Sequence, residues 1–95
     1  MINLYQKTWK ENNTEIAERM VQRRKRQKLS QKNLALRSGV SLGSLKRFEQ
    51  TGEISLQSLT KIAIALEVEG ELEELFSKVP FASIDEVIHA QSRSI

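Results

Sequence analysis

Apolar residues recur three and four positions apart along this chain, in short runs divided by serine, threonine and glycine. That pattern predicts helices and no strand. Thr14 is placed to cap a first helix that carries Ile16, Ala17, Met20 and Val21 on one side and ends near Lys28. Ser30 opens a second, "SQKNLALRS", with Leu34 and Ala35 turned inward. Gly39 ends it, because glycine adopts the left-handed conformation at little cost. Val40 enters the core, and Ser41 caps a third helix over 42–50 that Thr51 and Gly52 break. Ser55 caps a fourth, with Leu56, Leu59, Ile62, Ala63 and Leu66 on one face. A short fifth, from Gly70 to Phe76, offers Leu72, Leu75 and Phe76. Beyond Pro80, Ser83 and Glu86 have the spacing of a capping box. Ile84, Val87 and Ile88 then mark a last amphipathic helix over 84–91. The expected organisation is an arm over 1–13, a helical body over 14–78 and an extension over 79–95. Trp9, in the arm, is expected to pack on the body or on a second subunit. A chain of 95 residues suits one domain with a modest core.

The third helix has a face that its own packing does not explain. With ~100° per residue, Leu45 and Phe48 fall on one side, while Leu42, Lys46, Gly43 and Arg47 span ~140° on the other. The expected outer strip thus holds a leucine, a glycine, two cations and no acid. A leucine gains nothing in water, and a glycine inside a helix costs ~1 kcal/mol relative to alanine. The strip suits the major groove of double-stranded DNA. Lysine and arginine donate to guanine acceptors or phosphates, leucine meets a thymine methyl, and glycine admits close approach. Ser41 and Ser44 add short donors near the helix N-terminus, the end that meets base edges in a recognition helix.

Charge sharpens this picture. The net charge of +3 divides into +8 over residues 1–66 and −5 over 67–95. A basic body and an acidic tail suggest two surfaces for two kinds of partner, or a tail that only solubilises. Most of Arg23, Arg24, Lys25, Arg26 and Lys28 are expected to form a solvated face, and Lys32 and Arg37 are candidate peripheral phosphate contacts. With no cysteine and His89 as the only histidine, no transition-metal site is expected. No nucleophile–base pair or glycine-rich phosphate loop points to an enzyme, and no cofactor is implied. No apolar run approaches the ~20 residues that cross a bilayer, so no membrane partner and a cytoplasmic, nucleoid-associated location are expected.

Counted from Gln31, an apolar residue stands fourth (Leu34), alanine fifth (Ala35), glycine ninth (Gly39), and apolar residues tenth, fifteenth and eighteenth (Val40, Leu45, Phe48). This pattern resembles the helix-turn-helix. More narrowly, "LSQKNLALRSGVSLGSLKRFEQTGEISLQSLTKIAIAL" is similar to the lambda-repressor-like, or XRE, family over residues 14–76. The resemblance implies an all-α, five-helix DNA-binding domain, here with a short N-terminal arm and a C-terminal helical extension, that binds as a two-fold dimer. It also implies roles for particular residues. Gln31 matches a phosphate-contacting position at the start of the second helix, flanked by Ser30 and Lys32. Ser41, Leu42, Gly43, Lys46 and Arg47 match the recognition positions, and Ser44 lies among them. Gln50, Thr51 and the residues to Ser55 match a phosphate-facing loop. Arg24 and Glu49 match an interhelical salt bridge at the DNA boundary. Leu42 and Gly43 depart from a family pattern that often places glutamine there, which shifts readout toward Lys46, Arg47 and DNA shape. With the acidic "ELEELF", the phrase also resembles HipB-like antitoxins, which implies autoregulation and a HipA-like kinase toxin as partner. The alternatives are a stand-alone or phage-type regulator, or a protein-interaction module working through the acidic C-terminal segment. That segment, with Phe81, Ile84, Val87 and Ile88, is a candidate for dimer or toxin contact, and could equally fold back on its own core.

Overall fold

The structure is a computed structural model that describes residues 6–79. Five helices follow one another among the described residues: α1 (Trp9–Arg26), α2 (Gln31–Ser38), α3 (Leu42–Thr51), α4 (Leu56–Ala65) and α5 (Glu69–Glu73). There is no strand among the described residues. α1 packs on α3, α2 packs on both α3 and α4, and α5 packs on α4. Phe48 and Leu45 from α3, Leu34 from α2, Ile62 from α4 and Leu66 just after it are almost completely buried at the centre. Each such side chain contributes ~1.5–3 kcal/mol by leaving water. Ala17 and Ala35 are small enough to let α1 and α2 approach this cluster.

The first helix begins earlier than the expected start after Thr14. Thr8 is its N-cap, and the Thr8 hydroxyl accepts from the Glu11 backbone N–H at 3.1 Å. "TWKE", Thr8 to Glu11, has the capping-box spacing, so the signal was present in the expected arm. Trp9 therefore sits on the first turn of α1. It is 70% exposed and does not pack on the body of its own chain. Leu56, expected on the inner face of α4, is exposed at that helix's first position. Leu75 and Phe76 lie beyond the end of α5 and are also exposed, leaving Leu72 as that helix's half-buried apolar residue. The expected last helix over 84–91 lies outside the described residues.

Two kinds of chain reversal end the helices. Gly39 and Gly52 cap α2 and α3 with φ of 74° and 79°, as their sequence positions predict. Lys28 and Glu67 turn the chain after α1 and α4 at φ of 58° and 61° without any glycine. The Gln27 side chain then donates to the Leu66 carbonyl at 2.7 Å, tying these two ends together. Gly52 is required twice over. A Cβ there would lie 2.7 Å from the Asn13 carbonyl carbon, so the end of α3 rests directly on the backbone of α1.

Candidate nucleic-acid interface

The α2–turn–α3 unit is fixed at each joint. Ser30 caps α2 by accepting from the Asn33 N–H at 3.0 Å, and Ser41 caps α3 by accepting from the Ser44 N–H at 3.1 Å. Between the helices Gly39 takes the left-handed conformation and Val40 is buried. The Ser38 hydroxyl adds a tie across the turn, donating to the Ala35 carbonyl and accepting from the Val40 N–H. Leu45 and Phe48 then anchor α3 from within, which turns Gly43, Ser44, Lys46, Arg47 and Gln50 to solvent.

Leu42 departs from the expected exposed strip. It is half-buried and packs against the core. Helical side chains lean toward the N-terminus of their helix rather than pointing straight out. A leucine at the first helical position can therefore reach the core although its angle on the wheel points outward. Gly43 behaves oppositely. A Cβ there would have no neighbour within 4 Å, so nothing in the domain requires the glycine.

Two ion pairs flank α3. On its inner side Arg24 meets Glu49 through two bonds, Nε to Oε2 at 2.8 Å and Nη2 to Oε1 at 3.0 Å. Arg24 also donates from Nη1 to the Leu29 carbonyl at 2.9 Å, and Gln31 Nε2 donates to Glu49 Oε1 at 2.8 Å. The Arg24 and Glu49 side chains are only 11% and 8% exposed. Arg24 thus forms the expected pair with Glu49, ties the end of α1 to the start of α2 and to α3, and has little surface left for a phosphate at the DNA boundary.

On the outer side, Arg47 donates from Nε and Nη2 to the same oxygen of Glu53, at 3.0 and 2.6 Å. Both side chains are exposed, at 69% and 51%. The expected strip contained no acid. A helical wheel ends with the helix, and Glu53 returns to the strip only because the left-handed turn at Gly52 redirects the chain. Thr51 contributes through its hydroxyl, which donates to the Arg47 carbonyl at 2.7 Å and accepts from the Glu53 N–H at 3.1 Å. A shallow cleft lined by Ser44, Arg47, Glu53, Ile54, Ser55 and Ser58 continues from the strip to the start of α4.

The remaining basic residues divide. Arg23 is held by Glu71 of α5 at 2.7 Å, so the acidic half of the chain neutralises one cation of the expected basic face. Lys25, Arg26, Lys28, Lys32, Arg37 and Lys46 are exposed and make no ion pair among the described residues. Lys32 sits beside Ser30 and Gln31 at the start of α2. No cluster of metal-ligating side chains occurs among the described residues, and His89 lies outside them. Among those residues no helix is long and apolar enough to cross a membrane.

Two short helices locked through a glycine turn, the second with an anchored inner face and a cationic outer one, define a helix-turn-helix DNA-binding domain. Residues 20–72, more than half of the chain, match the helix-turn-helix family, and the chain belongs to that family in its lambda-repressor-like, or XRE, form. It is accordingly a DNA-binding regulator. No curated protein and no solved structure matches the chain.

Proposed function

We propose that this regulator is a sequence-specific transcriptional repressor that acts as a homodimer. Two copies of α3 enter successive major grooves of a palindromic operator, about one helical turn or ~34 Å apart. The observation that supports this best is the outer face of α3, where Ser44, Lys46 and Arg47 surround a glycine that the domain itself does not need. Lys46 and Arg47 supply donors for base edges or phosphates, and Gly43 lets the helix backbone approach the groove. Ser30, Gln31 and Lys32 at the start of α2, and Gln50 with the backbone after Thr51, flank the groove as phosphate contacts. Ser41 positions the first turn of α3, and the half-buried Leu42 offers only its edge to a thymine methyl. Arg24 and Glu49 set the angle between helices. The resemblance to HipB-like antitoxins supports a finer reading, in which the protein autoregulates its own operon in the cytoplasm and binds a HipA-like toxin. The C-terminal extension over 79–95 is the segment proposed for contact with that partner or with a second copy of the chain.

Fluorescence anisotropy against the protein's own upstream DNA and a scrambled duplex, across a salt series, tests the reading. A specific excess that survives at physiological salt is expected. Lys46→Ala should lower specific affinity about tenfold, ~1.4 kcal/mol, within the range of one base contact, and leave the melting temperature unchanged. Equal, weak binding to both duplexes that vanishes with salt means phosphate attraction alone and sinks autoregulation.

A further inference from the structure

One cation on the outer face of α3 is already held by a carboxylate. Arg47 directs Nε and Nη2, the side edge of its guanidinium, onto Glu53 Oε2. The end edge, Nη1 with the second Nη2 hydrogen, makes no hydrogen bond among the described residues. Guanine presents O6 and N7 in the major groove as a matched pair of acceptors, and two parallel N–H donors of arginine satisfy both. The grip is supported in turn. Thr51 accepts from the Glu53 N–H and donates to the Arg47 carbonyl, so a ring of hydrogen bonds runs from the Arg47 backbone through Thr51 and Glu53 back to the Arg47 guanidinium.

We propose that Glu53 is a positioning residue that presents the end edge of Arg47 to the guanine of a G·C pair. This rests on α3 being the recognition helix. An unrestrained arginine loses the freedom of several rotatable bonds when it meets a base, and a carboxylate that limits them beforehand reduces that loss. Glu53 is also repelled by DNA phosphates, which weakens attachment to sequences that offer Arg47 no guanine. Glu53 therefore widens the gap between specific and nonspecific binding. A carboxylate that only sequestered Arg47, or only repelled phosphate, would weaken both kinds of binding together.

Glu53→Gln, Arg47→Met and the double variant separate these roles. The full chain first selects its preferred duplex from a randomised pool. Each variant is then measured by anisotropy on that duplex, on single-base-pair substitutions of it and on a scrambled duplex. Glu53→Gln is expected to bind the preferred duplex about tenfold more weakly, with the loss confined to one G·C position. Its affinity for the scrambled duplex should hold or rise. In the Arg47→Met background the same substitution should no longer weaken binding to the preferred duplex, and affinity there should hold or rise as it does on the scrambled duplex. The proposal is overturned if Glu53→Gln strengthens both duplexes alike, changes neither, or acts equally with and without Arg47. A wild-type chain that selects no sequence instead removes the recognition-helix reading itself. Matching thermal melts of the wild-type and Glu53→Gln chains show that folding is not the cause.

Discussion

The two sides of α3 hold the same kinds of parts under opposite constraints. Each has a glycine and an arginine–glutamate pair. On the inner side, Gly52 meets the α1 backbone with no room for a Cβ, and Arg24–Glu49 is almost sealed from water and joined by Gln31 and a carbonyl. On the outer side, Gly43 faces open space and Arg47–Glu53 stands in solvent. The inner parts are interlocked, so a change in one strands the others. The outer parts are satisfied singly and can exchange partners without disturbing the fold. Rigidity behind the helix and availability in front of it are what a reading surface needs.

The sharpest way to break this contrast is at the inner glycine. Gly52→Ala places a Cβ against the Asn13 carbonyl and holds a non-glycine residue at positive φ, so it should destabilise the domain by on the order of 3 kcal/mol or more. Gly39→Ala shares the positive φ but meets no neighbour within 4 Å, and should lose only ~1–2 kcal/mol. Urea unfolding of both variants checks the difference. If the two lose the same stability, the seam between Asn13 and Gly52 is not tight.

The ion pairs come next. Glu49→Ala leaves the Arg24 guanidinium largely buried without its carboxylate and should destabilise by about 2–4 kcal/mol. Glu53→Gln breaks an exposed pair and should change stability by ~0–1 kcal/mol. Thermal melts at low and high salt distinguish them further, because screening weakens the exposed pair far more than the buried one.

The smallest effect on folding belongs to Gly43→Ala. Alanine in the first turn of α3 should raise stability by a few tenths of a kcal/mol, up to the ~1 kcal/mol seen in helix interiors. The same methyl should lower specific DNA affinity at least fivefold, ~1 kcal/mol, in an anisotropy titration. A variant that gains stability and keeps full affinity would mean that the backbone at Gly43 does not approach a ligand closely.

Most of the fold was legible because it rests on local signals. Ser30, Ser41 and Ser55 cap the helices they were expected to cap, and Gly39 and Gly52 end two of them. Leu34, Val40, Leu45, Phe48, Ile62 and Leu66 are the core that helical spacing selects. The misreadings have separate physical causes. Interleaved polar and aromatic residues hid the cap at Thr8, although Glu11 stood at the right spacing. The ends of α1 and α4 carry no glycine, so nothing local announced the left-handed residues Lys28 and Glu67. At the interface, helical angles correctly turned Lys46, Arg47 and Gly43 outward. They misplaced Leu42, because a wheel ignores the lean of side chains. They also could not show Glu53, whose position depends on a loop. The Arg24–Glu49 pair came from family resemblance rather than from any local pattern, since its partners lie on different helices.

Trp9 is the only tryptophan in the chain, and it stands largely in water on the first turn of α1. Its emission should already be that of a hydrated indole in the native monomer. Melting the core will then shift the spectrum little, so intrinsic fluorescence is a poor thermometer for this domain. The same placement makes the indole a sensitive optical probe of whatever covers it. A blue shift that grows with protein concentration would report a second subunit, and one that appears only on mixing would report another partner, without any added dye.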